Sequence, residues 1–147
     1  MATMQPAKAP WHLWAVGAVS LLWNCYGGYD YVMSETGNLA YFKSMGMGAE
    51  ELAWIKALPA WSVACWAIGV WGSVLGSILL LLRSRFAAPA FLVSLVGALI
   101  SFAYQFSAAR PASMQGTMAA VAPLVISIAI VAQWYYARRM AAAGVLR

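Results

Sequence analysis

From Pro59 to Leu82 the chain carries no charged side chain. A helix that is apolar on every face needs a solvent other than water, and about 20 such residues span the roughly 30 Å hydrocarbon core of a bilayer. Pro59 stands at a tolerated first-turn position, and Arg83-Ser84-Arg85 stops the run after Leu79–Leu82. Three other stretches follow the same plan. The first runs from Trp11 to Tyr31, opening on Trp11 and Trp14 and closing on Tyr26, Tyr29 and Tyr31, the amphipathic rings favoured at headgroup level. It exceeds a signal-peptide core of about 7–15 residues and no small-x-small site follows, so a retained helix is expected. The others run from Phe86 to Phe106 and from Thr117 to Tyr136, the last closed by Arg138-Arg139.

The expectation is an all-α membrane protein. Residues 1–147 form one domain, with four transmembrane helices over 11–31, 59–82, 86–106 and 117–136 in an antiparallel up-down bundle. Composition agrees: 64% of residues are apolar and 9% charged, where a soluble domain carries about a quarter. The net charge of +5 is spread over the ends of apolar runs and forms no basic face, which argues against nucleic acid.

Between the first two spans the sequence changes character. Ser34 to Asn38 are turn formers, and Ala49–Leu58 reads as a short interfacial helix with Glu50 and Glu51 at its N-terminus and Leu52, Ile55 and Leu58 on one face. With the N-terminus inside, Lys8, Arg83, Arg85, Arg138, Arg139 and Arg147 fall on the cytoplasmic side, against Lys43, Lys56 and Arg110 outside. That bias predicts both termini in the cytoplasm.

Polar side chains inside the spans are few. Asn24 lies about 20 Å from the Trp11 end, deep in the core, with Ser101 and Gly69 counted to a matching depth. Gln133 falls near the inner arginines, and Asp30 and Gln105 near the outer interface. Asn24 and Ser101 are therefore the candidates for a solute contact or an interhelical clamp. Tyr26, Asp30 and Tyr31 are candidates for an outer mouth. Gly17, Ser20 and Gly28 in the first span, and Gly69, Gly72 and Gly76 in the second, form small-residue stripes that predict a tight pairing of spans one and two. Trp54, Trp61, Trp66 and Trp71 read as belt and packing aromatics or as an aromatic platform.

Reactive chemistry is sparse. His12 is the single histidine, Cys25 and Cys65 lie in separate apolar runs, and Asp30, Glu35, Glu50 and Glu51 complete the acidic inventory. No catalytic constellation, metal-ligand spacing or cofactor motif is read, and no carboxylate sits at mid-membrane for proton coupling.

The stretches Trp11-His12-Leu13-Trp14, Ser20-Leu21-Leu22-Trp23-Asn24, Asp30-Tyr31, Pro59-Ala60-Trp61 and Trp66-Ala67-Ile68-Gly69-Val70-Trp71-Gly72, then Gly76-Ser77 and Leu79 to Arg83, resemble a group of small bacterial four-span inner-membrane proteins. The likeness covers about residues 10–106. Members often bear the label "sugar transporter", yet this chain has neither the three-span unit nor the Pro-Gln motif of small bacterial sugar uniporters. The resemblance implies a bacterial inner-membrane location and a four-helix architecture. The expected function is a structural or accessory membrane component, embedded in the lipid bilayer and partnered by itself or another membrane protein. The alternatives are an oligomeric transporter or channel subunit for a neutral solute such as a sugar, and a redox or haem-associated membrane protein.

Overall fold

The computed structural model describes residues 7–147. Every regular element in them is helical: α1 (Trp11–Glu35), α2 (Leu39–Ser44), α3 (Ala49–Lys56), α4 (Ala60–Leu81), α5 (Ala87–Ser107), a 3₁₀ turn (Ala112–Gln115) and α6 (Thr117–Ala142). Helices α4, α5 and α6 are each long and apolar enough to cross a membrane. α1 has 25 residues, about 37 Å of helix. His12, Asn24, Asp30 and Glu35, with its glycines and tyrosines, dilute its apolar content. On length and hydropathy together, three of the four expected spans are met.

The outer two long helices outrun their expected ends. α1 continues past Tyr31 to Glu35, and α6 continues past Tyr136 through both arginines to Ala142. Aromatic and basic residues mark a boundary for the solvent but do not break a helix. What ends α6 is Gly144 in the left-handed region (φ 69°), whose N–H bonds Ala141 O while Val145 N–H reaches back to Met140 O. The helix over Ala49–Lys56 is the one expected there. α2 has no counterpart among the expected elements; Asn38 starts it by accepting a hydrogen bond from Tyr41 N at 3.0 Å.

The tight helix pair is α4–α5, which corrects the expected pairing of spans one and two. Gly69, Gly72 and Gly76 all face α5. A Cβ on Gly69 would lie 3.0 Å from the Ala98 nitrogen, one on Gly72 3.0 Å from Ser94 Cβ, and one on Gly76 2.8 Å from the Phe91 ring. From the other side, a Cβ on Gly97 would meet Cys65 O at 2.8 Å. Only hydrogen side chains permit this approach, and Ser94 Oγ uses it to donate to Gly69 O across the seam. α1 does pack on α4, but its small residues act as sockets for large side chains. Gly17 receives Leu81, and Gly28 receives the Trp71 ring.

The two ends of the bundle are closed differently. At the end that gathers the described termini, Leu13, Leu80, Ala87, Ala88, Phe91, Ala137, Val145 and Leu146 form the main apolar core. Val145 and Leu146 reach it because the Gly144 cap turns the tail back under the helices. At the opposite end, α2, α3 and the 3₁₀ turn make a cap held by polar contacts. Trp54 Nε1 donates to Ala109 O at 2.6 Å, Lys56 Nζ donates to Glu35 O, and Ser113 Oγ donates to Glu51.

Candidate functional site

The polar cluster centres on Asn24, which is 5% exposed. Its Nδ2 lies 3.1 Å from Ser73 O, 2.9 Å from Ser77 Oγ and 3.0 Å from Gln133 Oε1. Chemistry fixes the amide's orientation. Ser73 O can only accept, and Ser77 Oγ already donates to Ser73 O at 2.9 Å, leaving its lone pair for Asn24. The NH₂ group must therefore point at α4, and Gln133 must offer its carbonyl. Two amide hydrogens serve three acceptors, so one is shared. The result ties α1 to α4 and α6 at a single level.

That level differs from the expected one. Gly17 lies against Leu81, the last residue of α4, so α1 starts about 9 Å beyond the end of α4. Depth counted from Trp11 therefore places Asn24 too far from the terminal end. Ser77, its actual partner, is only about one turn from that end of α4. Ser101 is not brought to Asn24. The register that sets Gly69 against Ala98 puts Ser101 about two turns further toward the cap, where it accepts from Gln105 Nε2 at 2.9 Å. Gln133, which sequence depth places near the interface, is buried and belongs to the cluster. It is the one strongly polar side chain in the apolar part of α6, a signal present in the sequence. The arginines that follow mark a solvent boundary there, yet α6 runs on past them.

Of the outer-mouth candidates, Tyr26 and Asp30 converge on Tyr41 of α2, while Tyr31 turns away. Asp30 accepts from the Tyr41 hydroxyl at 2.6 Å, turning toward α2. Burial, then the Asp30 carboxylate, pushes the Tyr41 phenol above its ordinary range. Tyr31 turns to α4, edge-on to Trp66 at 4.9 Å and Trp71 at 6.2 Å. Tyr26, exposed on the same face of α1 as Asp30, also neighbours the Tyr41 hydroxyl. Trp66 and Trp71 thus share Tyr31, while Trp61 packs separately, edge-on to Tyr104 at 4.8 Å, and Trp54 bonds Ala109 O. Ser20 is buried on the same face of α1 as Asn24, one turn away.

Reactive groups stay apart. Cys25 is exposed and Cys65 half-buried, both as free thiols. His12 Nδ1 pairs with the Tyr136 hydroxyl at 2.5 Å, a second α1–α6 link near the terminal end. Among the described residues no three His, Cys, Asp or Glu side chains converge. Both cluster serines donate to carbonyls of their own helix, Ser73 to Val70 O at 2.8 Å and Ser77 to Ser73 O. Neither is poised against a base. The cluster is built from neutral groups and supplies hydrogen bonds in a low-dielectric layer. No family model, curated protein or solved structure matches the chain.

Proposed function

We propose that this chain is a small structural or accessory component of the bacterial inner membrane. It crosses the membrane four times with both termini in the cytoplasm, and acts through helix packing with itself or a membrane-protein partner. The observation that carries this reading is the use of Asn24. Both hydrogens of its buried amide are engaged by acceptors on α4 and α6. A side chain so engaged serves as a clamp and is not free to hand a solute along a path. The neutral character of its partners supports the same view, since ion and proton carriers place ionisable groups at such positions.

The four-span arrangement draws support from α1, whose length suffices for a crossing and whose buried Asn24 amide is bonded by α4 and α6. The basic excess beside the two described termini supports their cytoplasmic placement. The likeness to small four-span inner-membrane proteins points the same way and adds no activity. The test pairs two measurements on the purified chain. Proteoliposomes are assayed for uptake of neutral solutes, sugars included, beside an Asn24→Leu variant, and flux no greater than in protein-free vesicles is expected. Recovery from membranes of a stoichiometric partner or second copy, unchanged by added solute, is expected alongside. Uptake that disappears in Asn24→Leu would instead establish a transport pathway.

A further inference from the structure

All four carboxylate residues, Asp30, Glu35, Glu50 and Glu51, lie at the cap end or in the turns of α1 that lead to it. The terminal end holds Lys8, Arg83, Arg85, Arg138, Arg139 and Arg147 with no acidic side chain beside them. Three of these arginines meet at one place. Arg147 N–H donates to Arg83 O at 2.7 Å, and Arg85 N–H donates to Arg147 O at 2.8 Å, so the tail is laid along the α4–α5 turn. Arg83 directs its guanidinium inward, from Nε to Val145 O at 3.1 Å and from Nη2 to Ala7 O at 2.8 Å. Arg85 and Arg147 are left exposed side by side, with no side-chain acceptor among the described residues. A carboxylate on Arg147 would still leave this turn net positive.

The surroundings are apolar. Arg85 sits 5.4 Å from the centre of the Phe86 ring, and Phe86 is 59% exposed beside Leu82, which is 71% exposed. Exposed apolar side chains next to unpaired guanidinium groups at the end of membrane-length helices match the two halves of a phospholipid. The guanidinium groups match the phosphate and the apolar pair matches the acyl chains. We propose that the α4–α5 turn and the returning C-terminal tail form a seat for one anionic phospholipid, with Arg85 and Arg147 holding its headgroup and Leu82 and Phe86 flanking its chains.

This seat rests on the membrane reading above, and the experiment separates the two. The full chain is reconstituted in phosphatidylcholine vesicles containing a minor share of phosphatidylglycerol. Resistance to carbonate extraction tests the membrane reading alone, and extraction would overturn it. Lipid retained after mild detergent extraction is then counted by native mass spectrometry. Phosphatidylglycerol is expected to exceed its share in the vesicle by about threefold or more, with the excess falling as salt rises. Arg85→Gln/Arg147→Gln is expected to abolish the excess, and Arg138→Gln/Arg139→Gln on α6 to leave most of it. Unchanged helix content by circular dichroism confirms that each variant is folded. No excess in the wild type, equal loss in both double variants, or an acidic protein recovered in place of lipid would each overturn the seat.

Discussion

The side-chain amide of Asn24 meets the Gln133 carbonyl at 3.0 Å, joining α1 to α6 at the level where Asn24 also bonds Ser73 and Ser77 of α4. Because lipid offers no replacement partner, this contact and its neighbours decide where three helices stop sliding past one another. Asn24→Leu is expected to lower stability by about 1–2 kcal/mol, near the upper range for hydrogen bonds between membrane helices. A double-mutant cycle with Gln133→Leu, followed by unfolding in detergent, should give a coupling of about 0.5–1.5 kcal/mol. Strict additivity would mean that the two amides do not act together.

The α4–α5 seam makes a second prediction through its glycines. Gly76→Val and Gly97→Val push new atoms into the Phe91 ring and into Cys65 O, the latter a backbone atom that has little room to retreat. Each is expected to cost about 1–3 kcal/mol, with Gly97→Val the worse. A Cβ on Gly27 of α1 would meet nothing within 4 Å, so Gly27→Ala should be neutral or stabilising by up to about 1 kcal/mol. Thermal unfolding of the three variants in one detergent compares them directly.

Glu51 gives the cap a pH dependence. The bond from Ser113 and then the bond from Gly48 N at 2.6 Å hold its carboxyl below the usual range. Glu51 has little exposed surface but lies in the thin cap, so hydrogen bonds and not desolvation set the direction. A carboxyl with a depressed folded-state pKa binds protons more weakly than in the unfolded chain. Its stabilisation is present above the ordinary glutamate pKa and is lost as pH falls through the folded value. Amide exchange over Ala112–Gln115, corrected for intrinsic rates, should accelerate at acidic pH in the wild type. Glu51→Gln should remove most of that pH dependence.

Arg83 is the one described non-glycine residue with positive φ, at 58°. It caps α4, its N–H bonding Leu80 O while Ser84 N–H bonds Leu79 O, a role normally given to glycine. Arg83→Gly relieves about 1 kcal/mol of backbone strain but removes the side chain that holds Val145 O and Ala7 O. Overall stability should change by less than about 1 kcal/mol, while the Arg85 and Arg147 amides exchange faster because the tail is no longer pinned. Unchanged exchange at those amides would remove Arg83 from the role of latch.

The sequence by itself determined the helical class and where its long apolar segments lie. Uncharged runs such as Pro59–Leu82 can satisfy their backbone in an apolar solvent only by forming helices, so hydropathy and turn residues were sufficient. It also singled out the glycines of α4 for helix packing, and Asn24 and Ser101 as candidates for a solute contact or an interhelical clamp. Which helix they meet was a tertiary decision. The Gly69, Gly72 and Gly76 stripe could have received either neighbour; it took α5 because Gly97 and Ser94 offer a second thin surface, whereas α1 presents sockets that fit Leu81 and Trp71. The partners of Asn24 depended on the axial offset between α1 and α4, a quantity with no local sequence signal. That offset brought Ser77 and Gln133 into the cluster and left Ser101 about two turns away.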